Sequence, residues 1–82
     1  MSFTTIQNLY QSLPAQASII PYKDWVIVAQ PTYKGIRIDI YDFIDELEFF
    51  DAYEARIQKS QTSEKYFEDQ GRGIQWAFEQ LK

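Results

Sequence analysis

An α+β fold in one domain is the expectation for this 82-residue chain, and three observations predict it. Trp25-Val26-Ile27-Val28-Ala29 is an uninterrupted β-rich run, and Ile36, Ile38 and Ile40 then alternate with Arg37, Asp39 and Tyr41. Apolar residues at helical spacing lie on both sides of that pair, at Ile6, Leu9, Tyr10 and Leu13 and again from Phe43 onward. The chain is 45% apolar with two Trp, six Tyr and six Phe, which supplies core volume without disulfide or metal.

Each element follows from local signals. Thr4-x-x-Gln7 fits a capping box and Pro14 stops the pattern, predicting a helix over about 4 to 13. Pro14 and Pro21 bracket a connector in which a third short strand over 18–21 is left open. Pro31-Thr32-Tyr33-Lys34-Gly35 reads as a hairpin loop of about five residues. Alternation in the second strand implies one buried face, whereas the unbroken first strand implies cover on both faces.

Asp42 is a suitable N-cap for a helix from Phe43, with Asp45 and Glu46 in its first turn. Phe43, Leu47, Phe50, Tyr53 and Ile57 would form its apolar face, with Phe49 at the margin. Hydroxyls at Ser60, Thr62 and Ser63 suggest a fresh N-cap before a last helix over about 63 to 81. Its stripe of Phe67, Gly71, Ile74, Phe78 and Leu81 would pack on the rest, with Gly71 and Gly73 inside a continuous helix. The predicted architecture is therefore an N-terminal helix, an antiparallel hairpin and two C-terminal helices packed on the sheet.

Charge is unevenly distributed. The chain has 8 basic and 12 acidic side chains, a net −4, yet residues 1–22 hold no charged side chain at all. Residues 39–55 contain Asp39, Asp42, Asp45, Glu46, Glu48, Asp51 and Glu54 with no basic residue among them. A pI near 4.6 opposes phosphate binding, so no direct nucleic-acid partner is expected. The absence of His and Cys removes the commonest general base, thiolate nucleophiles and most transition-metal ligands. No phosphate-cradling glycine loop or paired-carboxylate cleft is evident, so the expectation is a protein that is not an enzyme and needs no cofactor. Acids recur every third residue from Asp39 through Asp42, Asp45, Glu48 and Asp51 to Glu54, but on a helix that step spirals, so they would not converge on one ion and no metal site is expected. No apolar run approaches a membrane span and no secretory leader is evident, which gives a cytoplasmic protein without membrane contact as the expectation.

The leading functional expectation is a small acidic binding protein that modulates or inhibits a larger partner with a basic surface, in the manner of an anti-defence inhibitor or an immunity protein. Asp42, Asp45, Glu46, Glu48, Asp51 and Glu54 would supply charge complementarity, occupying a basic nucleic-acid groove. Tyr33, Lys34 and Arg37 would form a second contact, since tyrosine and arginine are enriched among interface anchors. The alternative is an accessory subunit that homodimerises or docks through apolar helix faces, using the uncharged N-terminal helix.

Overall fold

The computed structural model describes residues 3–48 and 51–82. It is a five-stranded antiparallel sheet curled into a half-barrel, with one short helix near each end of the chain. The elements are β1 (Thr4–Thr5), α1 (Ile6–Ser12), β2 (Ser18–Tyr22), β3 (Trp25–Thr32), β4 (Gly35–Phe43), β5 (Arg56–Thr62) and α2 (Gln70–Gln80). Strands β2 to β5 form a meander, and β1 joins its far edge beside β5, giving the order β1-β5-β4-β3-β2.

The β-branched segments form strands as expected, and both faces of β3 are covered. Val26 and Val28 join Ile6, Leu9, Tyr41 and Ile57 beneath α1, while Ile27 and Ala29 join Ile38, Ile40 and Ala77 beneath α2. The strand thus divides two small cores, and its continuous hydrophobicity is the signature of that position. Thr5 caps α1, its hydroxyl accepting the Asn8 N–H at 3.1 Å, and Pro14 follows the helix end. The optional strand at 18–21 exists as β2, with Pro21 tolerated because the strand is an edge.

Four expectations are corrected. The helix predicted from Phe43 to Ile57 does not form: Phe43 ends β4, Ile57 lies in β5, and the two are register partners across the sheet. Two residues that share a helical face in the sequence pattern are instead neighbours on one sheet face. Asp42 is consequently not an N-cap but a strand residue whose carboxylate accepts the Ser60 hydroxyl at 3.3 Å. Phe49 and Phe50 lie outside the described residues.

The last helix is shorter than predicted. Ser60 is the extra residue of a β-bulge opposite Ile40 and Tyr41. Ser63 is buried, accepting the Ile38 N–H at 3.1 Å and donating to the Lys65 carbonyl at 2.9 Å. The helix begins after Asp69, which accepts the Arg72 N–H at 2.8 Å. Its packing seam is Gly73 and Ala77, with Gly71 exposed; the helix does run on through both glycines. The hairpin loop is likewise shorter than five residues, since β3 continues through Pro31 and Thr32 and only Tyr33 and Lys34 make the turn.

Candidate functional site

The nine residues expected to contact a partner divide into three places. Tyr33 and Lys34 form the β3–β4 tip. Arg37 lies within the sheet, and the six acids from Asp42 to Glu54 gather where β4 leads into β5. Nine-residue β4 separates tip from acidic end by about 27 Å at ordinary strand rise. They are not one contact surface.

At the acidic end, the described residues of the connection between β4 and β5, 44–48 and 51–55, form no helix and are pinned to their neighbours at a few points. The Ile44 N–H donates to the Arg56 carbonyl at 2.8 Å and the Gln7 N–H donates to the Tyr53 carbonyl at 3.2 Å. Asp45 is a clamp: its Oδ1 accepts Arg56 Nη2 at 2.7 Å and its Oδ2 accepts the Arg56 backbone N–H at 2.9 Å. These hydrogen bonds hold the Asp45 carboxyl below its usual pKa and raise that of the Arg56 guanidinium. Asp51 is also local in role, its Oδ1 accepting the Tyr53 N–H at 2.8 Å. Asp42, Glu46, Glu48 and Glu54 face solvent, and no ion pair involves them among the described residues.

A depressed carboxyl pKa contributes stability that is present above the unfolded value, near 4, and is lost as pH falls below it through the folded value. Asp45→Asn is therefore expected to flatten the acid limb of a pH–stability curve below about pH 4 while leaving its shape at neutral pH. Melting temperatures recorded across that range check this; parallel curves for the two proteins would rule the clamp out.

Beside this connection stands α1. Its exposed residues, Gln7, Asn8, Tyr10, Gln11 and Ser12, carry no charge, and Tyr10 stacks on Tyr53 with ring centroids 5.9 Å apart. The fold thus joins the acidic segment and the uncharged helix, which the sequence presents as rival surfaces. Tyr10 and Tyr53 are each more than half exposed, and Ile44 and Leu47 are exposed in the same connection. Tyr10 and Tyr53 were missed as candidates because their meeting depends on the β1–β5 pairing.

Within the sheet, Asp39 is buried, and its carboxylate is shared. Thr62 Oγ1 donates to its Oδ1 at 2.8 Å, while Arg37 Nη2 and Lys59 Nζ lie 3.4 and 3.9 Å from its Oδ2. Arg37 Nη2 also donates to Gln30 Oε1 at 2.9 Å, so this arginine serves the sheet and not the tip. Burial beside Asp39 raises the pKa of the Tyr41 phenol. Tyr41 is core rather than surface, and Trp76 is half-buried against Phe67, ring centroids 5.9 Å apart.

At the tip, Thr32 Oγ1 accepts the Lys34 N–H at 3.1 Å and donates to the Gly35 carbonyl at 2.8 Å. Tyr33 is 94% exposed. Gly35 has φ +129°, and a Cβ there would stand 2.8 Å from the Phe67 carbonyl oxygen and 3.1 Å from Tyr66 Cβ. Its bareness lets the 63–69 strap cross the hairpin, where Ile36 and Phe67 exchange N–H···O bonds of 2.8 and 2.9 Å.

Among the described residues no group of three or more Asp, Glu, His or Cys gathers where it could hold a metal ion, and no helix is long and apolar enough to cross a membrane. Sheet, helices and segregated charge define a small β-rich domain whose distinctive chemistry lies at its two ends. The chain belongs to the family described as nucleotide modification associated domain 4 (Nmad4), which it matches over residues 1–81. No curated protein and no solved structure matches it.

Proposed function

We propose that this protein is a non-enzymatic binding domain that modulates a larger cytoplasmic protein, engaging a basic surface of that partner with its acidic end. The observation that supports this best is the junction of α1 and the 44–55 connection. There the uncharged helix face, the stacked Tyr10 and Tyr53, and the carboxylates Asp42, Glu46, Glu48 and Glu54 lie at one end of the sheet. Aromatic and uncharged groups suit the centre of an interface, and carboxylates around them suit its rim, where they speed association and reject wrong partners. The family description associates the domain with nucleotide modification, so the partner we propose is a protein of such a system, whose nucleic-acid groove supplies the basic surface. Tyr33, Lys34 and Arg37 are not part of this contact, lying toward or at the opposite end of β4.

The test is capture of the partner at low and high salt by the parent protein and by Glu46→Lys/Glu48→Lys. Asp45 is left intact, because it clamps Arg56. The expected result is a partner lost at high salt and lost by the variant, but retained by Glu79→Lys on α2. Retention by the double variant would overturn the acidic contact, and loss with Gln11→Lys alone would transfer the interface to α1.

A further inference from the structure

The hairpin tip has no part in that contact, and its construction calls for a different explanation. Tyr33 is the most exposed large hydrophobic side chain among the described residues, and it belongs to neither core. Yet the backbone beneath it is held by both hydrogen bonds of Thr32 and by the strap that Gly35 admits. That strap brings Tyr66, itself 42% exposed, within reach of Lys34: the ammonium lies 5.7 Å from the Tyr33 ring centroid and 5.8 Å from that of Tyr66. One cation thus serves two exposed rings.

We propose that this tip binds single-stranded nucleic acid, with unpaired bases stacking on Tyr33 and Tyr66 and the intervening phosphate facing Lys34. Two exposed rings sharing one cation offer both the stacking faces and the phosphate partner that a strand requires, and base stacking on aromatic rings is the usual source of sequence-tolerant single-strand affinity. A protein partner would require a patch of roughly 800 Å² around its anchors, which a two-residue turn does not offer, whereas a planar base needs one free ring face. The net charge of −4 opposes binding only where it is felt. The acidic end is about 27 Å away, more than three screening lengths of about 8 Å at physiological salt. Nearer the tip, Lys65 adds a second cation, Glu68 and Asp69 are both held by Arg72, at 3.1 and 3.6 Å, and Glu64 is the one carboxylate of the strap outside those ion pairs. The charge contribution is therefore small and stacking dominates.

The experiment is fluorescence anisotropy of a short labelled oligothymidylate titrated with the full chain, repeated with the same sequence as a duplex. The expected single-strand Kd is on the order of 10⁻⁴ M near physiological salt, with a logarithmic salt slope no steeper than about −1.4, as for two phosphates. Tyr33→Ala should weaken binding about tenfold and Tyr33→Phe should restore it, because the ring and not the hydroxyl is used. Lys34→Gln should flatten the salt dependence, and Glu48→Lys should leave the affinity within twofold. Tyr33 is almost fully exposed, so its replacement should leave the melting temperature unchanged. No binding at millimolar protein, equal binding of duplex, or indifference to Tyr33→Ala would each overturn the proposal. So would loss of a protein partner on Tyr33→Ala with no response to the oligonucleotide. The acidic-end contact stands or falls separately.

Discussion

Replacing Gly73 by valine is expected to lower stability by about 3 kcal/mol, a large share of the roughly 4 to 12 kcal/mol expected of a chain this long. Even a single Cβ at this position would lie 2.6 Å from Ile38 Cδ1 and 2.8 Å from its Cγ1. Ile38 is fully buried on β4 beneath α2 and has no solvent into which to turn, so the helix itself must lift from the sheet. A gain in helix propensity of no more than about 0.5 kcal/mol on exchanging glycine for β-branched valine does not offset that displacement. Shortening Ile38 to alanine alone should cost about 2–5 kcal/mol through the void it leaves. Combined with Gly73→Val, it should cost less than the sum, because each change makes room for or fills the other. Gly71 provides the contrast, since it is exposed and a Cβ there meets only Asp69 Oδ1 at 3.3 Å; Gly71→Ala should stay within about 0.5 kcal/mol of the parent. Urea unfolding of the four proteins decides the matter, and a Gly73→Val midpoint equal to that of the parent would refute the close approach.

Asp39→Ala is the second substitution with a large expected effect, about 2 kcal/mol. Its carboxylate gathers Arg37, Lys59 and the Thr62 hydroxyl on one sheet face, and deletion leaves two cations near each other and a hydroxyl without its acceptor. The cost stays below that of a sealed ion pair because the side chains of Arg37 and Lys59 are 36% and 46% exposed and can turn to water. Asp39→Asn keeps an acceptor for Thr62 and should recover about half of the loss. Adding Arg37→Ala to Asp39→Ala should cost less than Arg37→Ala costs in the parent, since only the bond to Gln30 is left to lose. Full additivity in denaturant midpoints would show that the two side chains do not act together.

Where β-branched residues were concentrated, the sequence was legible. Trp25 to Ala29 and Ile36 to Ile40 announced the central hairpin, and the lack of polar alternation in β3 announced that both of its faces are covered. Strand β5 was hidden for a physical reason. It lies between β4 and the two-residue β1 and its only apolar residue is Ile57, so Gln58, Lys59, Ser60, Gln61 and Thr62 resemble a loop until β4 supplies hydrogen bonds for them. The false helix had the same origin, because Phe43 and Ile57 fourteen residues apart satisfy a 3.6-residue period and a hairpin equally well. Packing then chose the hairpin, which buries both residues on one core without asking Asp42, Asp45 and Glu46 to crowd one helical turn.

The candidate surfaces were legible as residues and not as places. Charge segregation along the chain was visible, and the structure converts it into separation in space. The exposed tip tyrosine was singled out, but Tyr66 was invisible as its companion because their proximity depends on Gly35 and on the Ile36–Phe67 bridge. Arg37 looked like a tip residue by its position and is committed instead to Gln30 and Asp39.

The two-residue strand β1 determines the order in which the domain closes. The meander from β2 to β5 is built of neighbouring hairpins, whereas β1 meets β5 through Thr4 and Ile57, more than fifty residues apart. Contacts that close so long a loop form late, after local pairings have already fixed the partner strand. With only two residue pairs to hold it, β1 is also among the cheapest pieces to release. Its departure frees Thr5, the cap of α1, and loosens the helix that carries Tyr10. The N-terminal segment thus acts as a latch: chain closure and assembly of the uncharged half of the acidic end are one event.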